Sequence, residues 1–179
     1  MSGYDASYKV IVLGDAGVGK TTFIEKCAKP IFDSDNKMTI GVDFDVKSMD
    51  VDGRKIKLGV WDFGYEERFR FLVPTYVRGA NGVIIMYDVT RYTSLAHIDD
   101  WLLFIRREIK TEQDAFPIIL VGNKADLQND REVSGEDGIN FAKSRGLQGF
   151  IECSAKTGEN AEEIFDALTR LMMERSRLL

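Results

Sequence analysis

Residues 14–21 read GDAGVGKT, a full match to the pattern G-x-x-x-x-G-K-[ST]. The apolar run YKVIVL (8–13) precedes it. A segment from Lys20 to Lys29 follows, with Phe23, Ile24, Cys27 and Ala28 on one helical face. A buried strand that turns through glycines into a helix constrains the rest of the chain. The turn belongs at the ligand-binding edge of a sheet, and its glycines let backbone N–H groups curl around phosphate oxygens. The helix start adds a partial positive charge. Asp15, Ala16, Gly17, Val18, Gly19, Lys20, Thr21 and Thr22 are therefore candidate phosphate-loop residues. In this motif Lys20 reaches the β- and γ-phosphates, and the Thr21 hydroxyl binds Mg²⁺.

The remaining pattern agrees with an α/β fold. Runs 44–51 and 55–62 flank Asp52-Gly53, a strong hairpin signal, and predict an antiparallel pair. Runs 83–88 and 117–123 are apolar enough for buried parallel strands, and 150–154 is a last short one. Residues 93–110 carry Leu95, Ile98, Leu102, Ile105 and Ile109 at helical spacing. Ser134 and Asn160 are candidate caps of two more helices, the first stopped by Gly146. Stretches 30–41 and 64–74 read as loops. Six strands alternating with helices imply a mainly parallel sheet with one antiparallel strand and helices on both faces. Ligands bind such folds at the carboxyl ends of strands. The chain has 179 residues, and 24 Lys+Arg against 29 Asp+Glu give a charge of −5. This suits one domain spanning 1–179 and argues against a nucleic-acid binder. Two cysteines make neither a disulfide framework nor a metal cluster, which points to a reducing, cytoplasmic setting. No apolar run is long enough to span a bilayer.

The segment NKAD (123–126) ends the fifth strand and selects the base. The Asp126 carboxylate can accept from N1–H and the 2-amino group of guanine, donors that adenine lacks. Lys124 can lay its methylenes along the base, and Asn123 completes the loop. ECSAKTG (152–158) ends the last strand. There Ser154 is placed to brace Asp126, the Ala155 N–H to reach guanine O6, and Lys156 to complete the SAK motif.

With these motifs in this order, the chain resembles the Ras-like small GTPases and, within them, the Rab group, from about Tyr8 to the final helix. Further shared segments are TIGVDF (39–44), WD (61–62), ERFR (67–70), YVRGANGVIIMYDVT (76–90) and ECSAKTGEN (152–160). The resemblance implies a six-stranded G domain that binds GTP or GDP with Mg²⁺ and hydrolyses GTP slowly as a monomeric switch. It implies that Thr39 binds Mg²⁺ and the γ-phosphate, that Asp62 holds Mg²⁺ through water, and that Phe32 packs on the guanine edge. It implies an exchange factor, an activating protein and effectors, the last reading the aromatic triad Phe44, Trp61 and Tyr76. Lys20, Thr39 and Glu66 are the catalytic candidates.

The second switch departs from the family pattern. WDFGYEERFR (61–70) stands where WDTAGQERFR is usual. Tyr65 occupies the place of the switch glycine and cannot visit positive φ cheaply. Gly64 is a candidate displaced hinge near the γ-phosphate. Glu66 replaces the glutamine that orients the attacking water; an ionised carboxylate accepts from that water but adds charge beside the γ-phosphate. An alternative is a nucleotide-binding scaffold with little turnover. Ala16 adds a methyl where glycine or serine is frequent, and no arginine finger is assignable within the chain. His97 reads as solvent-facing and Trp101 as packing. The end, MMERSRLL, has no cysteine for prenylation, so any membrane association is peripheral, through partners or a missing tail.

Overall fold

The central strand β1 (Ala6–Gly14) lies between two parallel neighbours, β3 (Arg54–Phe63) and β4 (Gly82–Asp88). The computed structural model describes residues 3–28, 41–64, 71–109 and 116–179. Phe32, Thr39, Tyr65 and Glu66 lie outside them, as does the ERFR segment. β2 (Val42–Val51) pairs antiparallel with β3 through the Asp52-Gly53 turn, and β5 (Ile118–Asn123) and β6 (Gly149–Glu152) extend the sheet in parallel. The order is β2-β3-β1-β4-β5-β6.

Alternation along each buried strand builds two cores. Val10, Val12, Ile84, Met86, Ile119 and Val121 face α1 (Lys20–Ala28) and α6 (Ala161–Arg175). There Phe23 stacks on Phe165 at 5.1 Å between centroids. Ile11, Leu13, Val83, Ile85, Ile118 and Leu120 face the opposite layer. That layer comprises α2 (Val73–Val77), α3 (Tyr92–Ala96), α4 (Ile98–Glu108) and α5 (Gly135–Ser144). β1 leads into α1 at the centre of the sheet, so the glycine loop sits where the strand order reverses.

Three local readings differ from the sequence expectation. The stretch read as a loop over 64–74 already enters α2 at Val73, because Pro74 presets the first helical turn and Val73 and Val77 share a buried face. The long helix read over 93–110 divides at His97 into α3 and α4. His97 keeps helical torsions and donates its N–H to the Thr93 carbonyl, so the interruption is slight. Asn160 precedes α6 in the left-handed region and makes no side-chain cap; its amide instead donates to the Glu152 carbonyl at 2.9 Å. Ser134, in contrast, forms a full capping box with Asp137.

Candidate nucleotide site

Close packing explains the loop glycines. A Cβ on Gly14 would lie 2.3 Å from the Met86 carbonyl oxygen of β4, and one on Gly19 would lie 2.3 Å from Asn123 Nδ2. Both residues also have positive φ. Lys20 opens α1 with its side chain buried, and Nζ donates to the Gly14 and Asp15 carbonyls, each at 2.9 Å. Burial pushes the ammonium down to about 8, against the upward pull of Asp62 and Asp15. A desolvated cation held by neutral carbonyls is a strong point of attraction for an anion.

One residue on, Thr21 Oγ1 donates to Asp62 Oδ2 at 2.5 Å. Asp62 comes from the end of β3 and is buried. A hydroxyl and a carboxylate are hard oxygen donors, the chemistry Mg²⁺ takes, and Mg²⁺ needs few protein ligands when waters and phosphates complete its shell. The pair therefore fits that ion. Thr22 is half-buried on the next position of α1.

The base loops meet the phosphate loop through Asn123, which is buried at the end of β5. Its Nδ2 donates to the Val18 carbonyl at 2.8 Å. Its Oδ1 accepts from the Ala155 N–H at 2.9 Å and from the Cys153 thiol at 3.4 Å. Ser154 Oγ donates to Asp126 Oδ1 at 2.7 Å and so orients that carboxylate. The Ala155 N–H, read as a guanine O6 donor, is here directed at Asn123. Lys124 adopts left-handed torsions (φ 66°), and its Nζ pairs with Asp88 Oδ2 at 2.7 Å. Burial raises the Asp88 carboxyl, but hydrogen bonds from Lys124 and Thr90 outweigh it and hold the group below its usual range. Lys156 is exposed.

Several of these partners are invisible in the motifs. Asp15 was read as a nucleotide contact, yet its carboxylate is turned toward α4: Oδ2 meets His97 Nδ1 at 2.5 Å and Oδ1 accepts from Trp101 Nε1 at 3.3 Å. His97 is thus solvent-facing but also a partner of the phosphate loop, and Trp101 does more than pack. Arg91 Nη2 donates to the Ala16 carbonyl at 2.8 Å. The only sequence signal for these contacts is position: they follow the carboxyl end of β4, one of the strands whose ends face the loop.

The antiparallel pair runs one step past its last ladder position. The Gly64 N–H donates to the Gly41 carbonyl at 2.8 Å, continuing the β2–β3 pairing by one step. Beside it Phe44, Trp61 and Tyr76 form a row with centroids 4.8 and 5.2 Å apart. Phe44 is about half exposed (48%).

A glycine loop between strand and helix, joined through one asparagine to a base-reading loop, defines a P-loop nucleotide-binding domain of the guanine-specific kind. A family model described as Ras family matches residues 9–174, and the chain belongs to that family. It is 38% identical to Ras-related protein Rab-13 of Canis lupus familiaris over 97% of this chain and 83% of the relative. It is 41% identical to Ras-related protein RABC2a of Arabidopsis thaliana over 99% and 83%, and 42% identical to RABC1 of the same plant over 98% and 81%. It is a Rab-like small GTPase, a switch that binds and hydrolyses GTP.

Proposed function

We propose that the chain works as one monomeric G domain whose switch state is set by GTP or GDP with Mg²⁺, and that it acts in vesicle traffic at the periphery of membranes. The observation that carries the site assignment is Asn123, which ties Val18 of the phosphate loop to Ala155 of the base loop while Ser154 aims Asp126. Lys20 meets the β- and γ-phosphates. The loop N–H groups hold them, Asp126 takes the guanine edge and Lys124 lies along the base, with Lys156 completing that loop. Thr21 and Thr39, with Asp62 acting through water, would hold Mg²⁺, which would supply neutralising charge to the phosphates. Phe32 covers the base. Thr39, Gly64 and the chain around Tyr65 and Glu66 respond to the γ-phosphate, and Glu66 receives the attacking water. Effectors read the state through Phe44, Trp61 and Tyr76. Among the described residues, no helix is long and apolar enough to cross a membrane.

The test is single-turnover hydrolysis of Mg·GTP by the chain and by its Glu66→Gln and Tyr65→Gly variants, with Asp126→Ala as the base control. Turnover on the order of 10⁻⁴ s⁻¹ is expected without an activating protein. Asp126→Ala is expected to erase the preference for GTP over ATP. No phosphate release over hours from a tightly held GTP would overturn the hydrolysis assignment for this chain.

A further inference from the structure

Arg91 stands apart from every nucleotide motif, yet it grips the phosphate loop. Its backbone is pinned in the turn between β4 and α3. Its N–H donates to the Asp88 carbonyl at 3.0 Å, and its carbonyl accepts from the Ser94 N–H at 3.0 Å and from Ser94 Oγ at 2.6 Å. Ser94 is fully buried and its Oγ also receives the Asp88 N–H. From that fixed base the guanidinium reaches the loop, where Nη2 donates to the Ala16 carbonyl at 2.8 Å. Nη1 lies 3.9 Å from the point a Gly17 Cβ would occupy, so the group covers the Ala16–Gly17 peptide. Among the described residues Arg91 pairs with no carboxylate and makes this one side-chain hydrogen bond.

A peptide unit is planar and trans, so its C=O and N–H point in opposite directions. A guanidinium that holds the Ala16 carbonyl outward therefore fixes the Gly17 N–H on the other side of the loop. A cation on the carbonyl also polarises the peptide and strengthens its N–H as a donor. The residue before it is held from the same side, because the Asp15 carboxylate is gripped by His97, at the junction of α3 and α4, and by Trp101 of α4. Two consecutive loop residues are thus set from outside by the α3–α4 layer.

We propose that Arg91 is a positioning residue for the nucleotide phosphates: it orients the Ala16–Gly17 peptide so that the Gly17 N–H faces the phosphate groups, and its charge strengthens that donor. The inference rests on the nucleotide-site reading above and adds a residue to it. Arg91 touches the loop, not the nucleotide.

The test compares GDP with guanosine, which keeps the base contacts but has no phosphate. Affinities of the full chain are measured by competition against a fluorescent guanine nucleotide. Arg91→Ala is expected to weaken GDP about tenfold, the scale of one hydrogen bond to a charged group, with guanosine unchanged. Arg91→Lys, which keeps the charge, is expected to stay within about threefold of the unaltered chain. Arg91→Gln takes the place of Arg91→Ala if that variant does not fold. An equal loss for GDP and guanosine would show general weakening and overturn the proposal, as would no loss for either. If the unaltered chain binds no GDP, the site reading itself falls and the proposal with it.

Discussion

At the scale of single residues, Gly19 has no room for a methyl. The added Cβ would strike Asn123 Nδ2, the atom that ties the base loop to Val18, and would occupy φ +98°. Strain of this kind costs about 1–3 kcal/mol. Gly19→Ala is expected to weaken GDP binding at least about tenfold, and unchanged affinity in an equilibrium titration would contradict the geometry. The two thiols are governed by burial instead. Burial lifts Cys27 and Cys153 from the ordinary 9.0 to about 12. The folded chain then keeps protons that the unfolded chain releases. Their contribution to stability is complete below about pH 9 and is lost as pH rises toward 12. Alkylation of the fully buried Cys153 at pH 8 is expected to follow global unfolding; rapid labelling of that thiol in the native chain would count against this. The nucleotide motifs were legible because their spacing is local: Gly14, Lys20, Thr21 and the NKAD run each sit within a few residues of their own kind. Arg91, His97 and Trp101 were not legible, because they reach Asp15 and Ala16 across the fold and belong to no spacing pattern.

At the scale of elements, local chemistry and tertiary contact divide the outcome. Ser134 lies before an acidic first turn, and its hydroxyl accepts from the Asp137 N–H at 3.1 Å while the Asp137 carboxylate accepts in return. Removing such a cap costs about 1 kcal/mol. Ser134→Ala is expected to lower stability by that amount in chemical denaturation, with nucleotide affinity untouched. Asn160 belongs to a residue type that favours the same role. The nearby Glu152 carbonyl takes its side chain instead, a long-range fact that no residue preference encodes. The helix read over 93–110 was correct in its buried face, with Leu95, Ile98, Leu102 and Ile105 all buried. Its division falls at the residue whose ring meets Asp15. α2 was missed because five residues are too few to show a period, while Pro74 reads equally well as part of a loop.

At the scale of the whole molecule, the sheet order brings the ends of β1, β3, β4 and β5 to one edge, with the base loop after β6 beside them. Short unbroken apolar runs made the buried strands readable, and their alternation with helical segments made the two-sided cover readable. The antiparallel pair was readable from Asp52-Gly53, whose torsions are both left-handed. The strand order itself was not readable from periodicity, since any arrangement of buried parallel strands shows the same runs. A ligand that spans several strand ends binds only the folded chain and stabilises it by mass action, about 4 kcal/mol at a thousandfold excess over Kd. GDP with Mg²⁺ is expected to raise the melting temperature in a scanning measurement. ADP is expected to leave it unchanged, and equal shifts with the two would contradict the role of Asp126.

The same sheet order sets a schedule. The glycine loop follows the first strand of this sheet to be made, and Ser154, the brace of Asp126, follows the last. At roughly 5–20 residues per second, the phosphate loop waits on the order of ten seconds for its base-reading partner. Late in that interval, once β5 has been made, it still has no neighbour on its β6 side, and Asn123 lacks the Ala155 N–H. The nascent chain can become a complete guanine receptor only after β6 and the loop behind it have been made, so nucleotide capture follows the arrival of the last strand of the sheet.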